Sequence, residues 1–538
     1  MHLVQSQSME RFFNTSGPVV AADHYRIDPL QRVDWEEIQA LIANKRYFVL
    51  HAPRQTGKTS TLLAMMDALN RSGRYTALYA NIEAVQAVRG DAANGLALVC
   101  EIIASRARTY GLADLQGLVK SILSNQQSLG ALTELLTRWV IISEKPIVLM
   151  LDEVDSLVGD TLISLLRQIR AGYDQRPTAF PQSIILCGVR DVRDYRLHSP
   201  GHEVITGGSA FNIKAKSLSL GNFTQAEIAA LYQQHTDATG QAFAASIFRN
   251  LWEDTQGQPW LVNALGYELT WENRAARDRT TAITLEDYHA ARERLIYSRA
   301  THLDQLTDKL REPRINTVVS ALMSGEQADL RLSEDDLQYV EDLGLIVRKP
   351  QIHIANRIYQ EIIPREITAP IQDSIVQQQA WFLTPEHRLD LPKLLAAFQQ
   401  FFRENSEVWL QGLPYREAAP HLLLQAFLQR IVNGGGRINR EYALGRKRTD
   451  LLIEWPINEK QAYHGEVQRI VLELKILHHS LEKTIADGTR QTVDYVRQVG
   501  ASEAYLVIFN RSPEVTWDEK IWQLDKIYQG LTVGIWGM

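Results

Sequence analysis

The stretch of this chain that most constrains its fold is residues 47–60, which reads YFVLHAPRQTGKTS. Its first four residues are apolar and predict a buried strand, and a helical pattern begins at its end. The loop between them closes with Gly57, Lys58 and Thr59. A strand, a phosphate loop and a helix in this order form a P-loop, because backbone N–H groups and the helix N-terminus attract phosphate. The sequence therefore predicts that the chain binds a nucleoside triphosphate.

The residues of this loop have distinct expected tasks. Lys58 would reach the β- and γ-phosphates, and the Thr59 hydroxyl would ligate Mg²⁺. The loop has Ala52 at the position of the usual first glycine. Because alanine is small, the loop stays tight and binding is expected to survive. The residues expected to bind the nucleotide here are Ala52, Pro53, Arg54, Gln55, Thr56, Gly57, Lys58, Thr59 and Ser60.

Length and composition limit the classes of protein to consider. A chain of 538 residues is too long for one core, so three or four domains are expected. A hydrophobic fraction of 45% and a charged fraction of 22% are typical of a soluble globular protein. The net charge of −6 excludes a chain-wide nucleic-acid footprint, so any basic surface must be local. Neither a secretory signal nor a membrane-spanning apolar run is present, which favours a cytoplasmic protein.

A second motif follows the P-loop. Strand and helix patterns alternate here, which predicts an α/β domain with a mostly parallel sheet. Residues 147–151 are apolar and are followed by Asp152 and Glu153, the Walker B pattern. Asp152 would hold Mg²⁺ through water, and Glu153 would polarise the attacking water. An isolated strand that ends in Asp-Glu is often an ordinary strand terminus. After a P-loop at this distance, the catalytic interpretation is favoured.

A further strand is predicted at residues 183–187, and Arg190 follows it. A polar residue at the tip of the strand beside Walker B would lie near the γ-phosphate, so Arg190 is the candidate sensor. The alternative is a surface turn in which two arginines pair with two aspartates, namely Arg190 and Arg193 with Asp191 and Asp194. The sequence leaves both interpretations open.

These motifs resemble the AAA-like branch of P-loop ATPases, close to the origin-recognition and signal-transduction (STAND) ATPases. The resemblance rests on residues 152–155 and 257–263, and on the segment from Phe13 to Arg32, which resembles an N-terminal extension that packs on adenine. It implies that Pro259, at the start of a lid helix, contacts the nucleotide. It also implies an ATPase core at 10–220 and a helical lid at 221–300. Arg167 and Arg170 are alternative arginines for the phosphate of a neighbouring subunit.

The middle of the chain resembles the winged-helix domain that follows the lid in these ATPases, here at 301–370. Two helices and a short β-wing are predicted at 315–323, 332–346 and 347–354, with Ser333 as an N-cap. Five acidic residues lie on the second helix: Glu334, Asp335, Asp336, Glu341 and Asp342. Because they would repel phosphate, intramolecular packing is favoured over DNA binding.

Residues 376–538 contain a second constellation. Asp450 begins one predicted strand, and Glu473 and Lys475 lie two residues apart in the next. Residues i and i+2 of a strand point to the same side, so the three side chains would face one another, as in the PD-(D/E)XK nucleases that this region resembles. Two carboxylates suit Mg²⁺ and the lysine would orient the attacking water. The alternative is a turn aspartate beside a solvated strand face, which the apolar neighbours Val471, Leu472 and Ile476 disfavour.

Further residues extend the nuclease-like pattern. Gln491 and Tyr495 resemble an auxiliary motif of the exonuclease branch. Glu417 is the candidate third metal carboxylate, with Glu441 as the alternative. A basic run would line a phosphate track: Arg437, Arg440, Arg446, Lys447 and Arg448. Residues 505–510 are predicted as the last core strand, with residues 517–528 covering its edge.

The expected fold class is therefore α/β: a P-loop ATPase core with a helical lid, a winged-helix domain and a C-terminal PD-(D/E)XK nuclease-like domain. The expected function is an ATP-controlled, Mg²⁺-dependent nuclease in bacterial defence or DNA processing. ATP and Mg²⁺ are the expected cofactors, and nucleic acid, DNA in preference to RNA, is the expected partner. The alternative is a STAND-like switch or scaffold ATPase that forms a homo-oligomer or binds nucleic acid without cutting it.

Overall fold

A computed structural model describes most of the chain. The described residues are 10–124, 130–157, 159–190, 196–198, 204–206, 213–297, 309–310, 312–324, 332–363, 382–412, 419–432, 436–440, 451–458, 465–478, 480–512 and 514–538. They form two compact units. The first comprises Met1–Ser298 with Asp342–Gly344, and the second comprises Arg299–Glu341 with Leu345–Met538.

The first unit is built on a parallel sheet. In the part of the chain that the structure describes, this sheet has five strands in the order β4-β5-β6-β3-β9. Its strands are β3 (Tyr47–His51), β4 (Thr76–Asn81), β5 (Ile147–Asp152), β6 (Ser183–Gly188) and β9 (Lys214–Ser219). Two small pairs accompany it: β1 (Phe12–Phe13) with β2 (His24–Tyr25), and β7 (Arg196–His198) with β8 (Val204–Thr206).

Helices cover both faces of this sheet. The helices of the first unit are α1 (Trp35–Ala43), α2 (Lys58–Arg71), α3 (Ala92–Thr109), α4 (Gln116–Ser124), α5 (Ala131–Ile142), α6 (Gly159–Ala171), α7 (Gln225–Thr239), α8 (Ser246–Thr255), α9 (Pro259–Tyr267) and α10 (Leu285–Tyr297). Side chains alternate along β3, so Phe48 and Leu50 pack with α1 and α2 while Tyr47 and Val49 pack with α3, α5 and α6. Every residue of β5 is buried, as expected for a central parallel strand.

Local sequence signals explain where several helices begin and end. The Asp34 carboxylate accepts a hydrogen bond of 2.9 Å from the Glu37 amide and caps α1. Thr224 and Glu227 form a capping box at the start of α7, and Gly240 ends that helix in the left-handed conformation. These signals fix where α1 begins and where α7 begins and ends.

Within residues 312–363 of the described chain, the second unit contains two short helices and a β-hairpin. These are α11 (Pro313–Ser324), α12 (Glu334–Asp342), whose last residue groups with the first unit, β10 (Ile346–Val347) and β11 (His353–Ile354). The Ser333 hydroxyl caps α12 by accepting a hydrogen bond of 3.0 Å from the Asp336 amide. Arg314 pairs with Asp335 and Asp336 of α12, so part of the acidic run is neutralised within the unit.

A mixed sheet forms the rest of the second unit. Among the described residues its strand order is β12-β13-β14-β15-β17-β16. Its strands are β12 (Arg437–Arg440), β13 (Leu451–Pro456), β14 (Val467–Ile476), β15 (Glu503–Phe509), β16 (Trp522–Tyr528) and β17 (Leu531–Gly537). One face packs against α13 (Leu391–Gly412) and α14 (Ala419–Val432), and the other against α15 (Leu481–Val499). A short helix, α16 (Trp517–Lys520), precedes β16.

The structure corrects one prediction for this sheet. The strand predicted at residues 505–510 corresponds to β15, but it is not the last core strand. β17 lies beyond it, pairs with it in parallel and is buried over residues 533–537. The segment expected to cover the edge contains β16, which is itself the edge strand and pairs with β17. The strand pattern of β17 is weak in the sequence because of three glycines, at 530, 534 and 537, which lie just before it and within it.

Candidate functional site

The predicted phosphate loop lies between β3 and α2. Gly57 caps α2 with a φ of +96°, a conformation that favours glycine. A Cβ atom at this position would lie 2.7 Å from Nη1 of Arg32, so a larger residue would also displace that side chain. The amide groups at the start of α2 therefore remain directed at the place where a phosphate would bind.

Ala52, the irregular position of the loop, fits without strain. Its φ is not positive, whereas Gln55 in the same loop has a φ of +56°. Its amide donates a hydrogen bond of 3.2 Å to the Gly188 carbonyl at the end of β6. The methyl group is fully buried. An alanine in place of the usual glycine is therefore compatible with this backbone.

Lys58 lies folded along the loop. Its Nζ donates hydrogen bonds of 2.9 Å and 3.0 Å to the carbonyls of Ala52 and Pro53. The side chain is 5% exposed, and both of these acceptors are neutral. A nearly buried ammonium group with neutral acceptors is well suited to take an anionic phosphate as an additional partner.

The structure brings Thr59 and Asp152 into direct contact. The Thr59 hydroxyl donates a hydrogen bond of 2.7 Å to Oδ2 of Asp152, which is fully buried at the end of β5. The Tyr79 hydroxyl donates to the same oxygen at 3.0 Å. Burial, with the Asp152 charge as the next cause, raises the pKa of Tyr79 well above its ordinary value. The same two causes raise the pKa of the Cys187 thiol.

Glu153 follows in an uncommon backbone conformation. Its φ of +59° lies in the left-handed region, which turns the chain sharply after β5. Burial and then the charge of Asp155 raise the pKa of the Glu153 carboxyl. Asp155 in turn accepts a hydrogen bond of 3.1 Å from the Val189 amide and ties this turn to the end of β6. A raised pKa brings a carboxylate closer to that of a useful general base.

Arg190 is buried rather than exposed on a surface turn. Its side chain lies just after β6, and its Nε is 3.5 Å from Oδ2 of Asp342. The aspartates at 191 and 194 and the arginine at 193, which entered the alternative prediction, lie outside the described residues. Arg167 and Arg170 lie on α6.

A cleft adjoins the loop on its other side. It is lined by residues 14–17, by Gln55, Thr56 and Gly57 of the loop, and by Pro259, Trp260 and Asn263 of α9. The Trp260 indole donates a hydrogen bond of 2.9 Å to the Thr15 carbonyl. The Val19 amide donates one of 3.0 Å to the Ser60 hydroxyl. The N-terminal segment thus joins α9 and α2 around one cavity.

Arg32 links the same parts of the site. It lies at the end of a 3₁₀ turn (Pro29–Arg32) and donates 2.5 Å and 2.6 Å hydrogen bonds to the carbonyls of Thr56 and Gly221. Its guanidinium lies 4.7 Å from the centre of the Phe223 ring. Burial lowers the pKa of Arg32 to about 10. In the sequence, Arg32 is identifiable only as the end of the N-terminal segment. The sequence does not single out Tyr79, because a tyrosine in an apolar strand predicts core packing.

The residues present fit a nucleotide with Mg²⁺. The metal prefers oxygen ligands, which the Thr59 hydroxyl and the Asp152 carboxylate supply side by side. Lys58 and the α2 amides suit the phosphates, and the cleft between the extension and α9 suits a base. Pro259 stands at the first position of α9 and lines this cleft.

Comparison with known families agrees with this geometry. Residues 29–363, more than half of the chain, match the family described as AAA-like domain. The chain belongs to the AAA-like family. Its P-loop ATPase core accordingly implies nucleotide binding, typically with Mg²⁺. No curated protein matches the chain at a significant level.

The chain also has similarity to solved structures, including the following three. The Walker-type ATPase of Pyrococcus abyssi is 14% identical with a TM-score of 0.43, over 65% of this chain and 99% of that chain. Cdc6p from Pyrobaculum aerophilum is 16% identical with a TM-score of 0.36, over 67% and 98%. The RuvB Holliday junction branch migration motor of Thermotoga maritima is 14% identical with a TM-score of 0.33, over 63% and 98%.

The second candidate site lies on β14. Lys475 Nζ is 2.5 Å from Oε1 of Glu473, and Glu473 is fully buried. Because side chains alternate along a strand, Glu473 and Lys475 point to the same face of the sheet as Val471. Val471 packs with Val493 of α15, so this is the face that α15 covers. A buried carboxylate paired with an ammonium group is therefore located under α15.

α15 carries the two auxiliary residues. Gln491 and Tyr495 lie one turn apart on it, and Tyr495 is buried. The helix comes close to the sheet at Gly488, where a Cβ atom would lie 2.7 Å from the Leu506 side chain. Leu506 is the register partner of Glu473 on β15. Asp450, Glu417, Glu441 and residues 446–448 of the basic run lie outside the described residues.

Each helix in the described part of the chain is too short or too polar to span a lipid bilayer. Within the same residues, no group of three or more His, Cys, Asp and Glu side chains is arranged to hold a metal ion.

Proposed function

We propose that this AAA-like protein is an ATP-controlled, Mg²⁺-dependent nuclease whose second unit cleaves nucleic acid, DNA in preference to RNA. The observation that carries the proposal is the contact of 2.5 Å between Lys475 and the buried Glu473 on β14. Burying the Glu473 carboxylate completely beside a half-buried lysine costs free energy, so such a pair calls for a functional explanation.

The surroundings of this pair support the proposal. β13 pairs with β14 in antiparallel fashion. After β14 the chain passes through α15 to β15, which pairs with β14 in parallel. The α15 residues Gln491 and Tyr495 are on the helix that covers the Glu473 face. In the proposed site, Glu473 holds the metal together with Asp450 and Glu417, and Lys475 orients the attacking water. A bound Mg²⁺ would offset the charge of the phosphodiester.

The ATPase unit supplies control in this proposal. Lys58 and the α2 amides hold the phosphates, Thr59 and Asp152 hold Mg²⁺, and Glu153 accepts a proton from the attacking water. Pro259 acts as a contact to the base, and Arg190 is the candidate contact to the γ-phosphate. Biological settings that match an ATP-controlled nuclease are bacterial defence and DNA processing.

The test is a cleavage assay of the full chain with Mg²⁺ or Mn²⁺, on single- and double-stranded DNA and RNA, with and without ATP. Lys475→Ala should abolish cleavage. Lys483→Ala, which changes an exposed lysine at the start of α15, should leave it unchanged. Lys58→Ala should remove the dependence on ATP. Equal cleavage by Lys475→Ala and the wild type would contradict the proposal.

One observation favours a second candidate, a STAND-like switch or scaffold ATPase whose nuclease-like unit binds nucleic acid without cutting. Glu473 is 0% exposed, so its carboxylate has no direct access to a substrate in this conformation. This candidate predicts nucleic-acid binding without cleavage, no effect of Asp450→Ala, and loss of function in Lys58→Ala. A change of oligomeric mass on addition of ATP would favour it further.

A further inference from the structure

Tyr79 holds a position in the ATP site that no P-loop motif includes. It lies on β4, which pairs in parallel with β5 so that Tyr79 is opposite Met150 and Asn81 is opposite Asp152. Because side chains alternate along a strand, Tyr79 and Asp152 point to the same face of the sheet. That face packs against α2, the helix that carries Thr59.

The Asp152 carboxylate receives hydrogen bonds from three directions. Thr59 of α2 and Tyr79 of β4 both donate to Oδ2, at 2.7 Å and 3.0 Å. The Glu153 amide donates to Oδ1 at 3.0 Å. A carboxylate with both oxygens engaged is held in one rotamer, and removing one donor leaves it less restrained.

The two hydroxyl donors differ in what they do when a nucleotide binds. Thr59 is expected to turn its oxygen to Mg²⁺, so its geometry depends on the ligand. Tyr79 is 5% exposed, and its ring packs in the core between the sheet and α2. Its hydroxyl can therefore keep Asp152 in place whether or not a nucleotide is bound.

We infer that Tyr79 is a positioning residue of the Mg²⁺ site, acting through Asp152. It fixes the carboxylate in the orientation in which Asp152 receives the hydrated metal, and it contacts neither nucleotide nor metal itself. The inference concerns the ATP site alone and does not depend on the proposed nuclease activity.

Tyr79→Phe tests this assignment, because it removes the hydroxyl and keeps the ring that fills the core. Tyr47→Phe is the matched control. Tyr47 is fully buried on β3 of the same sheet, and its hydroxyl donates a hydrogen bond of 2.9 Å to the Pro181 carbonyl. Each substitution thus removes one buried hydrogen bond from a tyrosine of the same sheet, but only one of them affects Asp152.

The measurement is the affinity of the full chain for a fluorescent ATP analogue, in EDTA and over a series of Mg²⁺ concentrations. For Tyr79→Phe, the Mg²⁺ concentration that gives half of the metal-dependent gain in affinity should rise about tenfold. Affinity in EDTA should stay at the wild-type value. Tyr47→Phe should match the wild type in both conditions. Thermal unfolding of each variant shows that it is folded.

A double-mutant cycle separates positioning from a general structural effect. In an Asp152→Ala background, Tyr79→Phe should produce no further change in Mg²⁺ dependence, because the residue through which it acts is gone. Three outcomes would overturn the inference: an unchanged Mg²⁺ dependence in Tyr79→Phe, an equal shift in Tyr47→Phe, or an additive effect in the Asp152→Ala background.

Discussion

Nη1 of Arg32 donates a hydrogen bond of 2.5 Å to the carbonyl of Thr56. The same guanidinium reaches the Gly221 carbonyl at 2.6 Å, at the start of the segment that leads into α7. Arg32 is separated from these partners by 24 and 189 residues in sequence. One side chain therefore joins the phosphate loop to the segment before α7.

Replacing Arg32 should weaken nucleotide binding. Arg32→Met removes two charge-assisted hydrogen bonds, each worth about 1.5–3 kcal/mol, and frees the Thr56 carbonyl. We expect affinity for ATP to fall about tenfold or more, with Arg32→Lys intermediate because it keeps the charge and loses the fork geometry. Equilibrium titration with a fluorescent analogue measures the change.

Arg71→Met provides the control for this experiment. Arg71 is exposed at the end of α2, and its Nε donates only to the Asp67 carbonyl of its own helix. Its replacement should leave the affinity unchanged. If Arg32→Met bound ATP as tightly as Arg71→Met does, the hydrogen bonds from Arg32 to Thr56 and Gly221 would have no role in nucleotide binding.

Glu153→Gln should separate hydrolysis from binding. Glutamine has the same shape but cannot accept a proton, so we expect the turnover number for ATP to fall about 10²–10⁴-fold at unchanged affinity. Glu134→Gln, at an exposed ion pair on α5, should behave as the wild type. A steady-state phosphate-release assay measures the turnover number of each variant. If Glu153→Gln hydrolysed ATP at the wild-type rate, Glu153 would be excluded as the general base.

The pH dependence of the wild-type enzyme provides a second test of Glu153. Burial raises the pKa of this carboxyl above the ordinary value of 4.5. The ionised form accepts the proton, so hydrolysis is present above the shifted pKa and is lost as the pH falls through it. The acidic limb of the turnover profile should therefore lie above pH 4.5. An acidic limb at or below that value would contradict the assignment.

Gly257→Ala should destabilise the first unit severely. A Cβ atom there would lie 1.9 Å from the Phe223 carbonyl oxygen, and the φ of +71° is itself unfavourable for alanine. We expect the free energy of unfolding to fall by more than about 2 kcal/mol, measured by urea titration. Gly240→Ala, at a φ of +78° with no atom within 4 Å, should cost only the backbone strain of about 1 kcal/mol. Equal losses in the two variants would rule out the steric clash.

Arg190→Ala tests whether this arginine is structural or a sensor. Its buried ion pair with Asp342 predicts a loss of about 3 kcal/mol in the free energy of unfolding. Arg249→Ala, which breaks an exposed pair on α8, should cost less than about 1 kcal/mol. Unchanged stability with lost hydrolysis in Arg190→Ala would instead identify a sensor.

The sequence predicted those elements whose local pattern agrees with their final environment. β3, β4, β5 and β6 are short apolar runs, and a parallel sheet covered on both faces buries such runs. β9 was not predicted, because residues 214–219 read KAKSLS and only pairing with β3 makes them a strand. β17 was missed because its glycines interrupt the pattern.

The candidate site divides in the same way. Lys58, Thr59 and Asp152 belong to motifs whose spacing carries their chemistry. Arg32 and Tyr79 belong to no such motif, because each makes its contacts with partners that only the fold brings near. Arg32 contacts Thr56 and Gly221, and Tyr79 contacts Asp152. A tyrosine within an apolar strand gives no sign of which carboxylate it will meet.

The central position of β5 also has a consequence for exchange with solvent. Because β4 and β6 flank it and all six of its residues are buried, its amide hydrogens can reach deuterium only when the sheet itself opens. A peptide containing β5 should accordingly be among the slowest in the unit to gain mass in heavy water. Its exchange rate would report how much nucleotide binding raises the free energy of unfolding of the whole ATPase unit.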